Sequence, residues 1–278
     1  MTKKIYRKRK NKIYRGEPPN YLGQHFMHNK KLIKDIVDQA AIMKSDNVLE
    51  LGAGKGQLTG MLSQRASKVI AVEYDAKLVN HLRGKQLSNL QLIQQDILKF
   101  RLPKHPFVLV SNIPYSITTP IMKKILVPFS GFQRGVIVME KGAAKRFTAK
   151  MVKDRYIITW RMYFNMRLVR GISRDNFSPP PKVDSAMVYI SRKKDPLLSV
   201  KDYRLFKAFV DAIWQHPLLS IDEALSVVFT RPQIKHVKRN LGIKQEFPVG
   251  ALTEFQWQKI FIAMVQYVPK TRWPRIKG

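Results

Sequence analysis

The chain has 278 residues, of which 45% are hydrophobic, which is enough for a buried core and excludes a wholly disordered protein; the length favours two domains over one. It has no cysteine, which excludes a disulfide scaffold, thiolate zinc sites, iron–sulfur clusters and a cysteine nucleophile. Its 51 Lys and Arg against 19 Asp and Glu give a net charge of +32, and a field of that sign implies a polyanionic partner, nucleic acid first.

An anionic membrane surface is the rival partner, but no apolar run approaches the ~18–20 residues that span a bilayer. The start, MTKKIYRKRKNKIYR, lacks the apolar stretch of a secretory signal, so cytoplasmic residence is expected, and a mitochondrial transit reading fits less well. Residues 1–16 carry eight Lys or Arg with Ile5, Tyr6, Ile13 and Tyr14 interleaved. Residues 1–20 are therefore expected to form a flexible basic tail, either a solubilising segment or an arm on RNA.

Further along, Lys30–Ala41 has Leu32, Ile33, Ile36, Val37 and Ala40 on one face of an amphipathic helix. Helical patterns follow over Gln57–Arg65, Lys77–Arg83 and Thr119–Leu126. Short apolar runs lie between them at Val48–Leu51, Val69–Val72, Leu90–Ile93, Phe107–Val110 and Gly135–Met139, with a later strand at Val183–Ile190. Strands alternating with helices predict a parallel, doubly wound sheet.

The texture changes at the polar linker Arg192-Lys193-Lys194-Asp195-Pro196. Tyr203–Trp214, Asp222–Phe229, Gln233–Leu241 and Glu254–Tyr267 then read as helices, so residues 21–191 and 192–278 are expected to be separate domains. Of the net charge, +23 falls in the first 190 residues and +9 in the remainder.

Chemistry-bearing residues sit at successive strand ends, where open α/β sheets bind ligands. Glu50-Leu51-Gly52-Ala53-Gly54-Lys55-Gly56 links the first apolar strand to a helix. Gln57 stands where a dinucleotide fingerprint has glycine, and the Lys-Ser/Thr pair of a P-loop is missing. The loop thus suits a nucleoside cofactor with no pyrophosphate. Glu73 closes the next strand, where a carboxylate can accept from vicinal ribose hydroxyls. Asp96, beside Ile97, follows the third, placed to accept from an adenine amino group.

Ser111-Asn112-Ile113-Pro114-Tyr115 ends the fourth strand. An aryl amine is a poor nucleophile because its lone pair is delocalised into the ring. The Asn112 side-chain oxygen and the Pro114 carbonyl can hold both amino hydrogens and aim that lone pair. Tyr115 can stack on the base, and Phe177, opening Phe177-Ser178-Pro179-Pro180-Pro181, is expected to form the second wall of the slot. Gly23-Gln24-His25-Phe26-Met27 is expected to fold over the cofactor. The three-residue spacing of His25 and His28 invites a metal reading, which fails for want of further ligands, so no metal is expected.

Together these residues resemble the erythromycin-resistance rRNA adenine N6-methyltransferases, from about Gly23 to the end. The resemblance implies a Rossmann-like S-adenosylmethionine-dependent methyltransferase domain followed by a small all-helical domain. It implies methylation of one adenine in 23S rRNA, before full ribosome assembly, by a monomer, with resistance to macrolides, lincosamides and streptogramin B. It gives Gly52, Gly54 and Gly56 the methionine end of the cofactor, Glu73 the ribose, and Asp96 and Ile97 the adenine. Gln24, His25, Met27 and Asn112 complete the cofactor site; Asn112, Pro114, Tyr115 and Phe177 serve the target base. The family's Gln-Asn-Phe reads Gln24-His25-Phe26 here, so a role at His25 falls to the backbone. The small-subunit (16S) dimethyladenosine transferases share every motif and stay open as the alternative. A DNA adenine methyltransferase would need a separate sequence-reading module. In a non-catalytic RNA-binding relative, an intact Asn112–Tyr115 segment and Glu73 would have no purpose.

Overall fold

The computed structural model describes residues 24–243 and 247–276. The basic tail expected over residues 1–20 lies outside them, as does Gly23. Among the described residues there are nine strands and ten α-helices, numbered in chain order. A seven-stranded sheet runs β4(Leu90–Gln94)-β3(Lys68–Glu73)-β2(Asn47–Leu51)-β5(Phe107–Asn112)-β6(Phe132–Glu140)-β9(Ser185–Arg192)-β7(Phe164–Ile172). Its first five strands are parallel, Val48 facing Val69 on one side and Val108 on the other.

The all-parallel expectation is corrected at the far edge, where β9 is antiparallel to both β6 and β7. β7 and β9 are joined by residues 173–184 without a crossover helix. Ile172 therefore pairs with Ser185, and the chain turns back at the same end of the sheet. A second, two-stranded sheet pairs β1(Phe26–Met27) with β8(Phe177–Ser178).

Strand alternation sorts the core into two faces. Leu49, Leu51, Ile70, Val72, Leu109 and Ile137 belong to one apolar cluster, with α4(Thr118–Ile125), α5(Lys141–Thr148) and α6(Arg155–Tyr163) supplying Met122, Phe147 and Trp160. Val48, Val69, Val108, Val110 and Val136 belong to the other, with α1(Lys30–Gln39) and α2(Gln57–Arg65) supplying Ile36 and Leu62. A run buried on both faces reads as continuously apolar, which is why β5 has no polar alternation.

α1 begins where the Asn29 side chain accepts from the Leu32 N–H, and it stops short of Ala41, which takes φ 46. α3(Ala76–Arg83) is capped by Asp75. After β9 the helices are α7(Tyr203–Ile213), α8(Ile221–Ser226), α9(Arg231–Asn240) and α10(Glu254–Tyr267), and the first apolar cluster continues into them through Phe206, Phe209, Trp257 and Phe261. Among the described residues no helix is long and apolar enough to cross a membrane.

Candidate active site

The carboxyl ends of β2, β3, β4 and β5 surround a cavity of about 380 Å³. Gln24, His25, Met27, Gly52, Gly54, Glu73, Asp96, Ile97, Asn112, Pro114 and Tyr115 all line it. Residues scattered over more than ninety sequence positions thus converge: those from Gly52 to Tyr115 because they lie at the ends of neighbouring strands of one parallel sheet, and Gln24, His25 and Met27 because they lie in or just before β1 of the small sheet.

The glycine loop turns at Gly52, Gly54 and Gly56, all with positive φ. A Cβ on Gly54 would stand 3.1 Å from the Phe26 ring, and one on Gly56 would stand 2.4 Å from Leu82 Cδ2. Gly56 does not line the cavity; it caps α2 in the left-handed conformation, so its glycine serves the turn. The missing side chain at Gly54 is what lets Phe26 lie this close. Lys55 Nζ lies 4.8 Å from the centroid of the same ring.

Glu73 is 4% exposed and more engaged than a ribose-binding role requires. Its Oε2 accepts from Gly54 N–H at 2.8 Å, and its Oε1 accepts from Tyr74 and Asp75 N–H at 2.8 and 2.9 Å. These bonds tie the glycine loop to the end of β3. A carboxylate has about four acceptor positions, so one remains, on Oε2, for a further hydroxyl. Asp96 caps its own turn by accepting from Leu98 N–H at 2.8 Å through Oδ1, which leaves Oδ2. Lys124 fastens the same turn by donating to the carbonyls of Ile97 and Leu98.

At the end of β5, Asn112 Nδ2 donates to the His25 carbonyl at 3.0 Å, which assigns its Oδ1 as the outward acceptor. The contact between His25 and Asn112 is through the His25 backbone. Its ring has separate work: Nδ1 bonds the Pro179 carbonyl at 2.8 Å, and the ring centroid lies 5.9 Å from that of Tyr115, tilted by 33°. The Pro114 carbonyl accepts from Ile117 N–H at 3.1 Å and from Thr118 Oγ1 at 3.4 Å, so a substrate amine would take the place of the longer hydroxyl bond. The Tyr115 hydroxyl meets Ser185 Oγ, and burial pushes its pKa up.

Phe177 is not brought to the cavity. It is 2% exposed, pairs with Met27 across the small sheet, and belongs to the apolar cluster of Val136, Val138 and Met187. The loop expected to present it instead folds it under the sheet.

Sequence reasoning passed over Glu50, which lines the cavity while only 1% exposed. Thr59 Oγ1 donates to its Oε2 at 2.6 Å, and burial, reinforced by nearby Glu73, pushes its pKa up to about 8. The signal was present: an acid inside an apolar strand next to glycines needs a reason. Among the described residues no group of three or more His, Cys, Asp or Glu stands close enough to hold a metal ion.

The geometry is that of a nucleoside cradle beside an amide-proline-aromatic corner. Residues 19–266 match the family described as ribosomal RNA adenine dimethylase. The chain belongs to the ribosomal RNA adenine dimethylase family. Membership makes it an rRNA adenine N6-methyltransferase. An rRNA adenine N-6-methyltransferase of Bacillus licheniformis is 56% identical over 99% of this chain and 97% of its own length. The ribosomal RNA small subunit methyltransferase A of Streptococcus thermophilus is 36% identical over 70% of this chain and 72% of its own. The crystal structure of the 23S rRNA methyltransferase ErmE covers 87% of this dimethylase-family chain and 100% of its own, with TM-score 0.77 and 27% identity.

Proposed function

We propose that the protein transfers a methyl group from S-adenosylmethionine to the N6 amine of a specific adenine in 23S rRNA, and so confers resistance to macrolides, lincosamides and streptogramin B. The observation that carries the chemistry is the Asn112 amide, held by the His25 carbonyl so that Oδ1 is its acceptor, at the edge of a cavity that also holds Glu73 and Asp96. The residues fit that cofactor: a glycine loop with positive φ at Gly52 and Gly54, then carboxylates at the next two strand ends. When bound, it supplies an electrophilic methyl on a sulfonium and departs as a neutral thioether. Glu73 and Asp96 would hold its ribose and adenine, and the backbone at Gly52 and Gly54 its methionine end.

The chain's own groups then act by positioning. The target adenine must leave its stack, at a cost of a few kcal/mol. Stacking on Tyr115 offsets this by ~1–3 kcal/mol. Asn112 Oδ1 accepts one amino hydrogen and the Pro114 carbonyl, on releasing the Thr118 hydroxyl, accepts the other, which favours a pyramidal nitrogen. The nitrogen becomes acidic once alkylated, so its proton can pass to water without a strong base.

The large-subunit reading is supported by the likeness to the 23S rRNA methyltransferase ErmE, at 27% identity. The small-subunit alternative is favoured by the 36% relative, which aligns over a shorter span. The same proposal places the enzyme in the cytoplasm as a monomer acting before ribosome assembly is complete, with residues 192–278 a helical domain of its own. A primer-extension map of rRNA from a susceptible bacterium expressing this chain, grown with and without erythromycin, tests it. A stop in 23S rRNA with growth in the drug is expected. A stop in 16S rRNA with no growth would transfer the protein to the alternative.

A further inference from the structure

Base stacking requires the ring of Tyr115 but not its hydroxyl, so phenylalanine would serve that purpose alone. The hydroxyl nevertheless has a partner. It lies 2.5 Å from Ser185 Oγ, and neither oxygen has another hydrogen bond among the described residues. Ser185 is fully buried and opens β9, where it is held opposite Glu140 of β6 and Ile172 of β7. A seat between two strands is among the most rigid in the molecule.

The geometry separates two constraints. The hydroxyl lies on the Cβ–Cγ axis, so a bond to it fixes the direction of that axis but not rotation about it. The His25 ring, 5.9 Å away and tilted by 33°, bounds that rotation from the face. Without Ser185 the axis would be free to move between staggered positions. An off-axis ring would still bury apolar area but would present its face in the wrong place for an extruded base.

We propose that Ser185 is a positioning residue for methyl transfer, acting through the Tyr115 hydroxyl to set where the ring stands when the base arrives. This rests on the stacking role given to Tyr115 above. No step of bond-making involves Ser185 itself.

The test is a double-mutant cycle on the full-length chain with Tyr115→Phe, Ser185→Ala and the pair together. Single-turnover transfer to an rRNA fragment, cofactor affinity and thermal midpoint are measured for each. A second fragment carries fluorescent 2-aminopurine at the target position and reports stacking. Each single variant is expected to slow transfer about three- to tenfold, the size of one net hydrogen bond. The pair should be no slower than the slower single, with cofactor affinity unchanged throughout. Additive losses, or full-rate transfer by Tyr115→Phe, would overturn the proposal. Tyr115→Phe removes the bond without touching β9, so the outcome does not depend on Ser185→Ala folding. Tyr115→Ala separates the two readings: if it leaves 2-aminopurine fluorescence unquenched, stacking holds and the cycle judges Ser185 alone; if quenching persists, the stacking role falls.

Discussion

The backbone carbonyl of His25 and the side-chain amide of Asn112, 87 positions apart, are joined at 3.0 Å. An amide that donates through nitrogen must present its oxygen elsewhere, so this bond sets the polarity of the reaction corner. Because the acceptor is main chain, the identity of residue 25 is not what holds Asn112. His25→Asn should keep transfer within about threefold, losing only the ring contacts. Asn112→Ala should cost roughly 10²-fold or more in the chemical step, as loss of a preorganised polar partner does. Single-turnover rates with saturating cofactor compare the two; equal losses would contradict the backbone assignment.

Phe177 gives a second prediction, because its burial at 2% makes it a core residue. Phe177→Ala should lower stability by about 3–5 kcal/mol, in the range for a large core truncation. Thermal or urea unfolding measures this. A fully stable variant that fails only to quench 2-aminopurine would restore the slot-wall role expected from its sequence position.

Glu50 predicts a pH dependence. Its ordinary pKa is 4.5 and the folded value is about 8. Between those values the folded chain keeps a proton that the unfolded chain has released. Its contribution to stability is therefore intact below about 4.5, falls as pH rises, and levels off above about 8. Glu50→Gln keeps an acceptor for Thr59 and carries no ionisable group. Its thermal midpoint relative to the parent should rise from pH 5 to about pH 8 and then level off; a constant difference would refute the shift.

The +32 charge predicts steep salt dependence of RNA binding, a fall of at least ~10³-fold between ~50 and ~200 mM salt. Eight of the cations lie in residues 1–16. Deleting residues 1–20 should therefore flatten the log–log slope if that segment contacts phosphate, and leave it unaltered if it only solubilises. Filter binding across a salt series distinguishes these.

Much of the site was legible because it depends on strand ends, and strand ends are marked by composition. Val69–Val72 and Phe107–Val110 are continuous apolar runs, and Val48–Leu51 is broken only by Glu50; each is closed by glycine or a polar residue. β7, α5 and α6 were not assigned, for physical reasons. In α6, Ile157, Ile158, Trp160, Met162 and Tyr163 are all buried, so no polar face marks a helical period. β7 carries Arg167 and Arg170 at a sheet edge and looks like loop. β1 and β8 have two residues each, too short for any periodicity. Missing them misplaced Phe177, because the pairing with Met27 turns that ring inward.

That two-residue ladder joins two parts of the site. Phe26 lies against Gly54, while its backbone partner Ser178 begins the proline segment whose Pro179 carbonyl binds the His25 ring. The packing on the glycine loop and the seat of the ring beside Tyr115 therefore depend on the same pair of backbone partners, so a substitution that breaks this pairing disturbs both sides of the cavity together.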